Sequence, residues 1–267
     1  METIFAALAA QFPPLEAARE DGLLCFGGDL RPERLLAAYS RGIFPWYEAG
    51  QPILWWSPNP RCVLPLEDFR LPARSARALR QNPFELTLDA AFGRVIRACA
   101  QARTPHGGTW LTPAMIEAYD RLHALGFAHS VEAWRDGELA GGLYGVGFGR
   151  VFFGESMFHV VSEASRAALA GLVGLLRLRG VTLLDCQQET PHIMKMGGVL
   201  LPREVFMQRL RQALAPPADA EPGVGLPSTE HVICGDAIHK VTDEQVWQPW
   251  RERYDYSLSS GAWASRS

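Results

Sequence analysis

The sequence predicts an α+β fold, and three observations carry that expectation. Residues 128 to 158 are β-rich runs broken by AspGly and Gly clusters, as in a three-stranded antiparallel meander. Around it the order of elements reads helix, meander, helix, strand, helix. The chain has 267 residues, 48% apolar and 21% charged, enough to bury a full core in one large domain or two smaller ones.

Near the N-terminus, residues 27 to 42 read as a short helix, with Pro32 favoured in its first turn and Gly42 as its stop. It leads into a loop that sets Trp46, Trp55 and Trp56 among prolines, where aromatics do not mark a helix face. Residues 73 to 81 and 89 to 103 look helical, separated by strand-like residues 84 to 88. A further helix runs from Thr112, an N-cap before Pro113, to a Gly126 stop. The meander turns near Asp136-Gly137 and between Gly147 and Gly149. A long apolar helix from Ser162 to Arg179 ends at Gly180; a buried strand, Val181 to Asp185, and a helix opening at Pro202 follow. Beyond about Ala215 the composition is that of a linker, and the final stretch mixes aromatics with charge at no clear period.

Composition narrows the function classes. No run of about 20 apolar residues appears, and the start lacks the basic and long apolar regions of a secretory signal, so a cytosolic protein with no membrane partner is expected. The five cysteines (Cys25, Cys62, Cys99, Cys186, Cys234) are spread out and never spaced C-x-x-C, which suggests neither a disulfide framework nor a metal site. A net charge of −3 argues against a basic coat but leaves room for a local basic stripe. Arg70, Arg74, Arg77 and Arg80 form one: the last three share a helix face, with no interleaved acid, as sequence-tolerant phosphate contact requires. Trp46 and Trp110 fit the same reading, since exposed indoles stack on unpaired bases such as a tRNA 3′ adenosine. A solvated arginine face and core tryptophans are the plainer alternatives.

GlyValGlyPheGlyArg at 145 to 150 imitates part of a dinucleotide-binding loop but precedes strand-like residues, so it reads as a hairpin turn. AspCysGln at 185 to 187 is the sharpest polar group, because Asp185 and Gln187 share one side at the end of an apolar strand. Cys186 faces the other side and has no basic partner to activate it. If the earlier strand continues through residues 154 to 158, Glu155 and Met157 share a face, an acid beside an apolar side chain. Leu169, Leu172 and Leu176 recur at helical spacing, as core or as the wall of a pocket.

The element order resembles the N-acetyltransferase-like (GNAT-like) acyltransferase fold, whose strands splay to admit an acyl donor and an amine. Nothing in residues 154 to 165 cradles a pyrophosphate, which counts against acetyl-CoA as donor. Taken together, GlyLeuLeuCysPheGlyGlyAspLeu (22 to 30), TyrSerArgGlyIlePheProTrpTyr (39 to 47), ProIleLeuTrpTrpSerProAsnProArg (52 to 61), HisGlyGlyThrTrpLeu (106 to 111), HisSerValGluAlaTrp (129 to 134), GlyGlyLeuTyrGlyVal (141 to 146), PheGlyGluSerMetPhe (153 to 158) and LeuAspCysGln (184 to 187) resemble the bacterial leucyl/phenylalanyl-tRNA protein transferases. The resemblance covers roughly residues 12 to 212.

It implies a small N-terminal domain, residues 1 to 64, packed on an acyltransferase-like domain with a mixed, mainly antiparallel sheet, residues 65 to 214; residues 215 to 267 lie outside it. It implies transfer of Leu, Phe or sometimes Met from aminoacyl-tRNA to acceptor proteins beginning with Arg or Lys, which marks them for N-degron degradation. By position, Trp46 and Trp110 would hold the terminal adenosine. Leu143, Phe152, Met157, Leu169, Leu172, Leu176 and Leu184 would receive the donor side chain. Tyr39, Tyr119 and Glu155, with Asp185, would frame the acceptor, and Arg74, Arg77 and Arg80 would meet tRNA phosphates. An aminoacyl ester is already activated, so neither metal nor cofactor is expected; the enzyme must align a neutral amine and remove its proton. In that scheme Gln187 positions the amine, while Asp185 orients Gln187 and helps take up charge. A tRNA-binding module without catalysis and an acyl-CoA-dependent N-acetyltransferase are the competing readings.

Overall fold

The computed structural model describes residues 11 to 103 and 110 to 215; the expected linker and tail lie outside them. The fold is α+β with two sheets. The smaller has the order β1 (Leu23–Phe26), β3 (Leu54–Trp56), β2 (Phe44–Pro45), all antiparallel. The larger has the order β10 (Val199–Leu201), β4 (Arg61–Val63), β9 (Leu183–Gln187), β8 (Val151–His159), β7 (Glu138–Phe148), β6 (Ala128–Arg135), β5 (Glu85–Leu88). Only β8 and β9 run parallel, so the sheet is mixed.

Alternation along the strands divides the core. Tyr144 and Phe153 face a layer formed by α1 (Pro32–Tyr39), α3 (Phe92–Arg103), α4 (Pro113–Ala124), α6 (Arg203–Leu214) and the small sheet. Their neighbours Leu143 and Phe152 face α5 (Ala164–Leu178) and α2 (Ala73–Gln81) on the other side. Among the described residues no helix is long and apolar enough to cross a membrane.

Local chemistry accounts for the element ends. Thr112 caps α4 by accepting from the Met115 backbone N–H, and Gly42 and Gly180 take positive φ after α1 and α5. Helix α3 begins at Phe92 rather than 89, because Asp89 has φ 54° and the Ala90 and Ala91 N–H groups donate to the Glu132 carboxylate. The loop expected around Trp55 and Trp56 instead contains β3; such short strands with prolines nearby leave no periodic signal. The buried strand is shifted two residues from expectation, so Asp185, Cys186 and Gln187 all lie within β9. Gly145 is on β7, where a Cβ would come within 2.2 Å of the Phe153 carbonyl oxygen; close strand approach, not phosphate, requires glycine there.

Candidate active site

The site is built where β8 and β9 part. Their pairing runs from Val151↔Leu183 to Phe153↔Asp185 and stops. At the same level β8 bulges: Gly145 lies opposite Gly154 and Tyr144 opposite Ser156, which leaves Glu155 as the inserted residue. This corrects the expectation that Glu155 and Met157 share a face. Met157 packs on the α5 side, whereas the Glu155 carboxylate meets Tyr39 and Tyr119 of the opposite layer.

Glu155 is 8% exposed, and its carboxylate is surrounded by donors. The Tyr39 hydroxyl donates to Oε1 at 2.7 Å, the Tyr119 hydroxyl to Oε2 at 3.0 Å and the Gln187 side-chain amide to Oε1 at 2.8 Å. The two hydroxyl oxygens are themselves 2.5 Å apart. Burial pushes the carboxyl pKa up to about 7; the three hydrogen bonds oppose that rise, and the nearby Asp185 charge adds to it. Burial and the Glu155 charge raise both tyrosines well above their ordinary value, so they remain neutral donors.

Asp185 is fully buried and already matched. Arg61 Nε and Nη2 donate to its two oxygens at 2.9 and 2.6 Å, and the Gln187 backbone N–H donates to Oδ1 at 2.8 Å. Asp185 therefore holds the Gln187 backbone, at φ 63°, and its charge is balanced by Arg61. The guanidinium also donates to the Gly42 carbonyl at 3.1 Å and lies between the Phe44 and Phe206 rings, 4.8 and 4.7 Å from their centroids. Sequence reasoning missed Arg61. Its signal was a lone charge opening the apolar run CysValLeu, the counterpart of Asp185 ending one. Burial, with Cys62 and Asp185 nearby, raises the Cys186 thiol well above its ordinary value, as suits an inert group.

The transferase family model described as leucyl/phenylalanyl-tRNA protein transferase matches residues 63–211, and the model of that family's N-terminal domain matches residues 28–59. The chain belongs to the leucyl/phenylalanyl-tRNA protein transferase family. A transferase of that name from Desulfatibacillum aliphaticivorans is 57% identical over 204 residues, covering 76% of this chain and 88% of its own. Another from Syntrophotalea carbinolica is 53% identical over 218 residues, covering 81% and 95%. A solved Agrobacterium fabrum domain assigned to a lysylphosphatidylglycerol synthetase superposes with TM-score 0.33 at 12% identity, over 59% of this chain and 52% of that one, too loosely to carry an argument.

As a member of this family the chain is an aminoacyltransferase. In the transferase, Tyr39, Tyr119, Glu155 and Gln187 form one hydrogen-bonded group. The apolar set Leu143, Phe152, Met157, Leu169, Leu172, Leu176 and Leu184 lies in one cluster on the opposite face of the sheet. Trp46 is 38% exposed and Trp110 half-buried; the Tyr47 hydroxyl, 3.4 Å from Thr112 Oγ1, brings their segments together. Arg74, Arg77 and Arg80 are exposed on α2 and ion-paired with no carboxylate among the described residues. No group of His, Cys, Asp and Glu among the described residues could hold a metal ion.

Proposed function

We propose that the chain transfers Leu or Phe, and sometimes Met, from aminoacyl-tRNA to the N-terminal Arg or Lys of acceptor proteins, marking them for degradation. The observation that carries this reading is Glu155: a buried carboxylate held by two neutral hydroxyls and an amide, with a pKa of about 7. An ionised Glu155 attracts a cationic acceptor through charge-assisted hydrogen bonds that a neutral residue cannot make. An α-amine has an ordinary pKa of about 7.7 to 8.0, so a neighbouring carboxylate near neutrality suffices to accept its proton on the way to attack.

Around that carboxylate the remaining roles follow from placement. Gln187 positions the amine. Asp185 and Arg61 are positioning residues, since both are buried and spend their hydrogen bonds on each other and on the backbone. Trp46 and Trp110 take the terminal adenosine, and the Leu143 to Leu184 cluster takes the donor side chain. The parting of β8 from β9 supports a GNAT-like arrangement in the unit from residue 65 to 214, with the segment to about Leu64 packed against it.

The deciding experiment follows labelled Leu and Phe from charged tRNA to two proteins that differ only in beginning with Arg or Met. Label on the Arg protein alone supports the reading; tRNA binding with no label on either overturns it. Two outcomes follow for variants. Gln187→Ala lowers single-turnover transfer at saturating tRNA by at least about tenfold; near-normal transfer removes Gln187 from the mechanism. Replacing Arg74, Arg77 and Arg80 by alanine weakens tRNA binding irrespective of its anticodon. In a titration from 50 to 200 mM salt, that triple variant flattens the log K against log salt slope by about 0.9 per lost phosphate contact. An unchanged slope would mean that the stripe is only a solvated face.

A further inference from the structure

The early end of the β8–β9 pairing leaves backbone groups of β8 without a partner among the described residues. The Arg150 carbonyl accepts from Thr182 and Leu183, so it points toward β9. Backbone direction alternates along a strand, and the bulge at Glu155 shifts the alternation by one residue. Beyond it, Val160 donates to Ala140 on the β7 side, so Met157 and His159 point the other way, toward the space β9 would have filled. β9 does not fill it: the Gln187 N–H turns back to the Asp185 carboxylate, and Gln188 N–H donates to the Cys186 carbonyl. Among the described residues no backbone group bonds to that side of Met157 or His159.

We propose that the first residues of the acceptor polypeptide lie in this gap as a short extended strand parallel to β8, their backbone paired with Met157 and His159. This rests on the transfer reaction proposed above. Three features select a polypeptide. The outward groups repeat every second residue, about 6.6 Å apart, a spacing that an extended chain matches and a single aminoacyl ester does not. The edge begins at Glu155 and Gln187, which places the acceptor's N-terminus at the reacting end. It then leads past exposed His159 and Val160, the latter 75% exposed, into solvent where the folded body of an acceptor must remain. Main-chain pairing lets one site read an N-terminal residue while making little demand on the side chains behind it.

The test uses the full chain, charged tRNA and synthetic eight-residue peptides beginning with Arg, each N-methylated at one backbone nitrogen from the second to the sixth residue. Transfer efficiency (kcat/KM) should fall about tenfold at two positions two residues apart and change little at the position between them. Alanine at those same positions should alter efficiency by less than about threefold, because side chains are not what is paired. A flat methylation profile, or losses that follow side-chain identity, overturns the strand pairing and leaves the transfer reaction standing. No label on the unmodified peptide overturns the reaction and this proposal with it.

Discussion

Glu155→Gln should slow transfer by about two orders of magnitude and, at pH 8, make the protein more stable than its parent. The two effects share one cause. The folded chain keeps Glu155 protonated up to about 7, above the ordinary value of 4.5, so between those values the folded state holds a proton that the unfolded state has released. Stability from this group is therefore full below about pH 4.5 and is lost as pH rises through about 7, by about 3 kcal/mol in all. Glutamine carries no such penalty: its carbonyl accepts from Tyr39 or Tyr119, and its amide donates to the other hydroxyl or to Gln187. Urea unfolding at pH 5 and pH 8 should show the gain only at the higher pH. Single-turnover rates of the parent should rise through about pH 7, while the variant retains only the limb from the acceptor amine near 8. Equal stability differences at both pH values would show that the carboxyl is not perturbed by its burial.

Arg61→Met should lower stability by about 3 to 5 kcal/mol, because it leaves the fully buried Asp185 carboxylate without its countercharge. Methionine still fills the space between Phe44 and Phe206, so the loss reports charge more than volume. The paired replacement Arg61→Met with Asp185→Leu should recover most of that stability, since an apolar pair is often as stable as a buried ionic one. It should not recover transfer, because the Gln187 N–H then has no acceptor to fix its backbone at positive φ. Denaturant unfolding and single-turnover transfer on the same three proteins separate the two roles. A fully active double variant would mean that the ion pair serves folding alone.

The sequence was informative where the chain's own period or punctuation carries the structure. The meander was legible because β6, β7 and β8 are joined by turns at Asp136-Gly137 and Gly149-Arg150, and α4 because Thr112 and Pro113 open it. The small sheet was not, since strands of two to four residues set among prolines give no period to read. The bulge was hidden for a different reason: an inserted residue has no compositional mark, so alternation carried past Glu155 places Met157 on the wrong face. Tyr39 and Tyr119 lie 80 positions apart, and only the family resemblance joined them to Glu155 beforehand. Arg61 stayed unassigned because its partner is a tertiary contact that no local pattern encodes.

That contact also bears on how the enzyme comes into being on the ribosome. Arg61 is synthesised 124 positions before Asp185. Until β9 emerges, its guanidinium has no carboxylate to accompany it into the interior, and β4 has no neighbour on that side. A chain cut short anywhere before Asp185 thus carries an arginine with no countercharge for the interior, and its β4 edge stays open to wrong partners.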